Sequence, residues 1–152
     1  MTEIELVERP PALVVGLPVL ARFADLGTLV PAAWRSLAGA LGGRHPGTLA
    51  ELSVDLGDGR YHETVGVLLE LGDAGAVSLP GAVGSLVPGG RWAQVPHEGP
   101  ASAIADTFGR LLAWVEEQGE HAGPHKLDAG YRLDGAPERH LLAVCLRAAP
   151  PA

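Results

Sequence analysis

Glu63 is the residue whose sequence neighbours most suggest chemistry. If residues 61–67 form a β-strand, Tyr61, Glu63 and Val65 project from the same face of that strand. A carboxyl group between a tyrosine and a valine is partly shielded from water, and such a group either binds a cation or has a raised pKa that suits proton transfer. The same pattern also fits a solvated, inert glutamate at the mouth of the strand, and both interpretations stay open.

Other residue clusters that could carry chemistry are weak. His121 and His125 are close in sequence, but the Gly-Pro pair between them argues against a helix that would place both on one side. The single cysteine, Cys145, lies between two apolar residues and is interpreted as a packed strand residue. The sequence has no nucleophile elbow, no phosphate-binding Gly-Lys loop and no dinucleotide fingerprint. We therefore expect neither a metal nor a cofactor.

The composition is that of a folded, acidic chain. Of the 152 residues, 47% are hydrophobic and 19% are charged, and the formal net charge is −7. Binding to a phosphate backbone depends on clustered Lys and Arg, and the 11 present are scattered, so a nucleic acid is not expected as a partner. The first residues lack a basic start and a long apolar run. We expect no signal peptide, no membrane span and a cytoplasmic location.

Two amphipathic stripes predict two helices. In residues 101–119 the apolar positions recur with the period of an α-helix, and a glycine follows the last turn. A similar stripe runs through residues 30–41, with Pro31 tolerated in its opening turn. Residues 18–28, which precede this second stripe, are expected to form a loose connection.

Most of the remaining chain predicts strands, because extended apolar runs alternate with turn residues. Two of the expected pairs are hairpins, and the first has the Asp-Gly turn that is typical of that motif. The single strands are expected at residues 4–8, 13–17, 82–87 and 91–95, and the hairpins at residues 48–55 with 60–71 and residues 126–133 with 139–148.

The order of these elements repeats along the chain. A strand, a helix and two strands occur in residues 1–75 and again in residues 76–148, and residues 149–152 form a tail. We therefore expect one α+β domain of two pseudo-twofold strand-helix-strand-strand units, with antiparallel sheets and one long helix per half. Because the helices cover only one side of the sheets, the uncovered faces must meet each other or a ligand, which predicts a central groove.

Short segments, mostly in the second half, resemble a known family. They are His97-Glu98-Gly99-Pro100, Leu111-Leu112-Ala113-Trp114, Gly119, Gly123-Pro124 and Tyr131. In this order and spacing, the chain resembles the GyrI-like small-molecule-binding family, which also forms the effector-binding domain of AraC-type and MerR-type regulators. No helix-turn-helix segment precedes these residues, so the resemblance is to the stand-alone form.

The resemblance implies a function and two alternatives. The favoured one is non-catalytic: binding or sequestration of a bulky hydrophobic or aromatic, in some cases cationic, small molecule in a groove between the halves, without nucleic-acid contact. A homodimer is allowed. The first alternative is a cofactor-independent hydrolase of strained cyclopropane natural products, with Glu63 as the catalytic residue that positions or deprotonates water. The second is a gyrase-inhibitor-like module that meets a protein partner through an exposed acidic surface.

The resemblance also implies which residues line the groove. Family members usually carry an acid on the last strand, where this chain has Ala143, and often an aromatic residue at the position of Cys145. Glu63 lies at the symmetry-related place in the first half and is expected to replace the missing acid. The full expected set of ligand-binding residues is Tyr61, Glu63, Val65, Trp92, Trp114, Tyr131, Ala143 and Cys145.

The direction of the Glu63 side chain is ambiguous. Val65 and its alternating neighbours are more apolar than the residues between them, which indicates that the Glu63 face meets a helix, whereas the resemblance indicates that it meets the groove. We follow the resemblance, because an unpaired carboxylate beneath a helix costs several kcal/mol. Trp34 and Phe108 lie within the helix stripes and are interpreted as core residues.

Overall fold

The computed structural model of the chain describes residues 3–148 and shows an α+β fold. The expected tail at residues 149–152 lies outside the described residues. The helices are α1 (Phe23–Leu41) and α2 (Ile104–Glu117), with short 3-10 turns at Leu71–Ala76 and Ala101–Ala103. The strands are β1 (Glu5–Arg9), β2 (Ala12–Arg22), β3 (Leu49–Asp55), β4 (Arg60–Glu70), β5 (Val83–Val87), β6 (Gly90–Glu98), β7 (Ala122–Tyr131) and β8 (Arg139–Leu146).

These eight strands form one antiparallel sheet in the order β1-β6-β8-β7-β3-β4-β2-β5. The predicted α+β class with antiparallel strands is confirmed, although the strands make a single sheet instead of several. Both predicted hairpins are present, since β3 pairs with β4 and β7 pairs with β8. Two strands from opposite halves, β3 and β7, lie side by side in the middle of the sheet.

The sheet curves until its two ends lie close together. β1 and β2 are first and seventh in the sheet order, yet only Pro10 and Pro11 join them. β5 and β6, which are eighth and second, are likewise joined by Pro88 and Gly89 alone. Connections this short require the sheet ends to be adjacent. The enclosed face is filled by a buried cluster, which consists of Val14, Ala50, Leu52, Val87, Trp92, Leu127, Ala129 and Ala143.

This packing corrects the expected place of the groove. The uncovered faces of the sheets were expected to meet each other or a ligand, and the chain fills the enclosed face with its own apolar side chains. Trp92 is fully buried there, and its indole N–H donates a 3.0 Å hydrogen bond to the carbonyl of Pro88. The indole is thus satisfied within the protein, and any cleft for a ligand must lie on the other face.

Both helices pack on that other face. α1 covers β2 and β4 through an apolar cluster that includes Leu37 and Val67. α2 covers β6, β7 and β8 through a second cluster that includes Leu111 and Leu142. The middle of the sheet therefore lies between the two helices. Neither helix within residues 3–148 is long and apolar enough to cross a membrane.

The connection before α1 differs from the sequence expectation. Residues 18–28 do not form a loose segment, because β2 continues to Arg22 and α1 begins directly at Phe23. Pro18 is tolerated in β2 because the neighbouring strand β5 reaches only as far as Gly16, which leaves a free edge beyond that point. The helix is therefore longer at its N-terminus than the apolar stripe alone indicated.

Candidate functional site

A cleft of about 570 Å³ lies between α1 and α2 on the helix-bearing face of the sheet. The two helices and the 3-10 turn before α2 form its walls, and β3, β4 and β7 form its floor. The wall residues are Leu26, Gly27, Val30, Pro31, Trp34, Ala101, Ile104, Ala105 and Phe108. The floor residues are Glu51, Ser53, Glu63, Lys126, Asp128 and Tyr131. The cleft thus combines apolar walls with a floor rich in ionisable groups.

The floor contains two rows of polar residues that cross neighbouring strands. Ser53 on β3 is paired with Glu63 on β4 and with Lys126 on β7. Glu51, two residues before Ser53, is paired with Asp128 on β7. Paired residues of an antiparallel sheet point to the same face, so the pairing brings three carboxyl groups and one ammonium group beneath the same cleft.

Glu63 is buried at the floor with one carboxyl oxygen unsatisfied. The residue is 5% exposed, and Ser53 Oγ donates a 2.8 Å hydrogen bond to Glu63 Oε1. Glu63 Oε2 has no hydrogen-bond partner, and within residues 3–148 it is the only buried side-chain oxygen or nitrogen in that state. Burial and, secondly, the charge of Glu51 raise the pKa of Glu63 to about 7. This carboxyl group can therefore accept either a cation or a proton near neutral pH.

Glu51 is the second titrating acid of the floor. The indole N–H of Trp34 donates a 3.1 Å hydrogen bond to Glu51 Oε1. Burial raises the pKa of Glu51 to about 7, the charge of Asp128 adds to this rise, and the bond from Trp34 opposes it. The charge of Glu51 in turn adds to the rise in the pKa of Glu63, so the two acids of the floor are linked electrostatically.

Asp128, in contrast, is satisfied by the protein. The phenol of Tyr131 donates a 2.7 Å hydrogen bond to Asp128 Oδ2, and His140 Nδ1 lies 2.5 Å from Asp128 Oδ1. His140 Nε2 lies 3.2 Å from Glu138 Oε1, which continues this chain of hydrogen bonds towards the surface. Burial raises the pKa of Asp128 and also that of Tyr131. The Asp128 carboxyl group thus holds Tyr131 in place at the cleft.

Aromatic rings border the cleft from several elements. The ring centroids of Trp34 and Tyr131 are 4.4 Å apart with an interplanar angle of 31°, and Phe108 lines the cleft from α2. Gly27 and Pro31 also line the α1 wall, and Pro31 lies inside the helix, where it has no N–H to donate to the carbonyl of Gly27. Aromatic walls favour apolar ligands and attract cations through the negative faces of the rings.

The structure brings two of the residues expected from the sequence, Glu63 and Tyr131, together in the cleft. The sequence left open whether the Glu63 side chain faces a helix or the groove. In the structure the helices and the cleft lie on the same face of the sheet, so Glu63 lies on the side of both. Val65 shares this face of β4, but it is fully buried and does not border the cleft. Tyr61 lies at the end of β4, where its ring centroid is 6.0 Å from that of Phe23.

The other expected residues lie elsewhere. Trp92, Ala143 and Cys145 face the enclosed side of the sheet, and burial raises the pKa of the Cys145 thiol. Along β8 the residues that face the helices are His140, Leu142 and their alternating neighbours. Successive residues of a strand point to opposite faces, so an error of one residue in the expected position places the side chain on the wrong face of the sheet. Trp114 packs in the α2 cluster.

Sequence reasoning found neither the charged floor residues Glu51, Lys126 and Asp128 nor the aromatic wall residues Trp34 and Phe108. The two aromatic residues were interpreted as core. An apolar stripe shows which side of a helix faces the protein, but it does not show whether a side chain on that side packs against the sheet or lines a cleft. One signal was available, since Lys126 is the only lysine of the chain. Within residues 3–148, no group of three or more His, Cys, Asp or Glu side chains is placed to hold a metal ion.

No protein-family model matches the chain, and no curated protein matches it. Solved structures do share its fold. The chain is 16% identical to the C-terminal domain of EcmrR, with a TM-score of 0.64 over 98% of this chain and 99% of that domain. It is 10% identical to SAV2435 bound to tetraphenylphosphonium, with a TM-score of 0.66 over 95% of this chain and 92% of that one.

A third structure with this fold is a hydrolase from Listeria innocua. It is 15% identical to the chain, with a TM-score of 0.56 over 96% of this chain and 92% of the hydrolase. Identities this low show a common fold and nothing further about the ligand or the reaction. The function must therefore be argued from the cleft itself.

Proposed function

We propose that the chain binds a bulky aromatic cation in the cleft between α1 and α2. One observation carries this proposal: Glu63 borders the cleft, and its buried carboxyl oxygen Oε2 lacks a hydrogen-bond partner. A buried carboxylate without a partner costs free energy, and a cation bound in the cleft would recover that cost. SAV2435, which shares the fold, was solved with an aromatic cation, and this adds support by analogy.

The walls favour the same type of ligand. A cleft of about 570 Å³ has the size of a small-molecule site. Trp34, Tyr131 and Phe108 provide aromatic surface for an apolar body. A cation over an aromatic face gains about 0.5 to 2 kcal/mol, depending on how far it is shielded from water. The rings and the carboxyl group together therefore favour an aromatic cation over a neutral or anionic compound.

The proposal includes a duplicated architecture around the cleft. β2, α1, β3 and β4 form one strand-helix-strand-strand unit, and β6, α2, β7 and β8 form the other. The sheet order supports this interpretation. Outwards from the β3–β7 contact, the strands run β3-β4-β2 on one side and β7-β8-β6 on the other, which are equivalent strands of the two units. The cleft would then be the groove between two halves, with residues 1–75 and 76–148 as the repeats.

Binding can be tested with two probes of nearly the same shape and opposite charge, tetraphenylphosphonium and tetraphenylborate. Calorimetry should show binding of the phosphonium and much weaker binding of the borate. A Gly27→Phe variant should fill the cleft and reduce phosphonium affinity at least about tenfold, which is about 1.4 kcal/mol. Gly39→Phe, on α1 but outside the cleft, is the matched control, since a Cβ at either position meets no atom within 4 Å.

Equal affinity for the two probes would contradict the preference for a cation. Phosphonium binding that survives Gly27→Phe unchanged would contradict the location of the site. Loss of binding in both glycine variants would show a general effect of the added phenyl group on α1, and the cleft would then have no special role.

A second candidate function is hydrolysis of a strained electrophile. The observation that favours it is the pKa of Glu63, which burial raises to about 7, a value suited to a general base. Glu63 would accept a proton from water while the water oxygen forms a bond to a ring carbon. The strained C–C bond would break, its electron pair would pass to the activating group of the substrate, and the proton held by Glu63 would then be returned to that group. With an activated cyclopropane as substrate, ring-opened product should form with the wild type and not with Glu63→Gln. A binder should leave the substrate intact.

A further inference from the structure

Lys126 is a charged cleft residue that the proposed cation site does not require. It is the only lysine among the 11 Lys and Arg residues of the chain. It lies on β7 at the floor of the cleft, half-buried, in the same row as Ser53 and Glu63. A positive charge on the cleft floor opposes binding of a cation in the cleft. The position of Lys126 therefore needs a separate physical explanation.

An internal ion pair does not supply that reason. Several arginines are paired with acids on the surface, such as Arg91 with Glu120 and Arg132 with Asp134. Within residues 3–148, the ammonium group of Lys126 has neither an ion pair within 4.0 Å nor a hydrogen bond. Glu63 Oε2, on the same floor, also lacks a partner. The charge of Lys126 lowers the pKa of Glu63, but no ion pair or hydrogen bond joins the two side chains, so both groups are free to bind a ligand directly.

The register sets the spacing between these two groups. Glu63, Ser53 and Lys126 are paired across the three adjacent strands β4, β3 and β7. Neighbouring strands are about 4.8 Å apart, so the backbones that carry Glu63 and Lys126 are separated by about 10 Å. One aromatic molecule of moderate size can span that distance with its ends on the two residues.

We propose that the cleft selects zwitterionic aromatic compounds, whose positive end meets Glu63 and whose carboxylate meets Lys126. This inference rests on the proposed function and makes its ligand class narrower. The lysine ammonium is a compact charge that can donate three hydrogen bonds, and a ligand carboxylate can accept them. The ligand then satisfies both groups, whereas a simple cation satisfies Glu63 and is repelled by Lys126.

Two fluorescent dyes form a matched pair of probes. Rhodamine 110 is a zwitterion near neutral pH, and rhodamine 123 is its methyl ester and carries only the positive charge. Fluorescence anisotropy gives the affinity of each dye for the wild type and its variants. We expect the wild type to favour rhodamine 110. Lys126→Met should weaken rhodamine 110 binding by about tenfold and strengthen rhodamine 123 binding, because the repulsion is removed.

Two variants serve as controls. Arg35→Met removes one positive charge from an exposed position of α1 outside the cleft and should leave the preference unchanged. Glu63→Gln should weaken both dyes. A ratio of the two affinities that is the same in the wild type and in Lys126→Met would overturn the inference, even if both dyes bind.

The outcomes also separate this inference from the proposed function. If rhodamine 123 binds in a way that Gly27→Phe abolishes, but rhodamine 110 binds no better, only the zwitterion inference fails. If neither dye binds, the zwitterion inference fails, and the tetraphenylphosphonium experiment alone decides the proposed function. A second readout uses the unaltered sequence: reductive methylation with labelled formaldehyde places one labelled side chain at Lys126, and its NMR signal should shift with rhodamine 110 more than with rhodamine 123.

Discussion

The indole N–H of Trp34 donates a hydrogen bond of 3.1 Å to Glu51 Oε1, which ties the α1 wall of the cleft to its floor. The same bond helps to hold the Trp34 ring 4.4 Å from the ring of Tyr131. A side chain first interpreted as core is therefore part of both the aromatic wall and the acidic floor. This relationship leads to the first prediction.

Trp34→Phe should weaken tetraphenylphosphonium binding by about fivefold, or about 1 kcal/mol, because phenylalanine attracts cations less strongly and cannot donate to Glu51. Trp114→Phe is the matched control, since Trp114 packs in the α2 cluster and does not border this cleft. Calorimetry on the two variants measures the effect. An equal loss in both, or none in Trp34→Phe, would speak against the wall assigned here.

The stability of the protein should depend on pH through Glu63. Burial raises its pKa from 4.5 to about 7, so the folded state holds a proton that the unfolded state releases between these values. The contribution of Glu63 to the free energy of unfolding therefore falls as the pH rises from about 4.5 to about 7. Glu63→Gln should remove this loss and stabilise the protein at higher pH by an amount on the order of 2 kcal/mol.

Urea denaturation at acidic and at mildly alkaline pH measures this difference. Glu70→Gln is the control, because Glu70 is an exposed residue at the end of the same strand. A wild type and a Glu63→Gln variant with the same pH dependence would show that the carboxyl group is not buried in solution as it is in the structure.

The Asp128–His140 pair should contribute to stability at acidic to neutral pH. Burial lowers the pKa of His140, but hydrogen bonding to Asp128 and Glu138 outweighs it, and the pKa is raised from 6.5. The stabilisation is therefore full below pH 6.5 and is lost as the pH rises through the raised value. Near pH 6, His140→Leu should reduce the free energy of unfolding by about 3 kcal/mol, because it leaves Asp128 buried without that partner.

His121→Leu is the comparison for this substitution, since His121 is exposed and its loss should change stability by less than about 0.5 kcal/mol. Chemical denaturation of both variants across the pH range gives the result. Equal stability of the two leucine variants would remove any structural role for the pair.

Two glycines allow β2 and β4 to approach closely. A Cβ at Gly16 would lie 2.0 Å from the carbonyl oxygen of Val65, and a Cβ at Gly66 would lie 2.1 Å from that of Val15. Gly16→Ala should therefore destabilise the protein by more than about 3 kcal/mol or prevent folding. Gly84→Ala in β5 should fold normally in the same thermal-denaturation experiment, because the nearest atom to its Cβ is 4.0 Å away.

The sequence predicted the elements that depend on local patterns. The stripe in residues 101–119 agrees with α2 at Ile104–Glu117, since apolar spacing and turn residues act within one element. The start of α1 was wrong, because Pro31 fits a first helical turn as well as the interior position that it occupies. Local patterns alone do not distinguish these two cases.

The candidate site was harder to predict than the fold, because it depends on strand register. A shift of one residue separates Ala143, which faces the enclosed core, from Leu142, which faces α2. The neighbours of Glu63 in the cleft come from β3 and β7, and the pairing of Ser53 with Glu63 and with Lys126 is non-local. No short segment of the sequence contains that information.

The most direct test of cation binding at Glu63 is the number of protons released when tetraphenylphosphonium binds. Calorimetry at pH 7, in two buffers with different ionisation enthalpies, gives this number. Because the pKa of Glu63 is about 7, the wild type should release about half a proton for each ligand bound. Glu63→Gln should release less and bind more weakly. Binding by the wild type without proton release, and with the same affinity in Glu63→Gln, would contradict the assignment of Glu63 as the cation site.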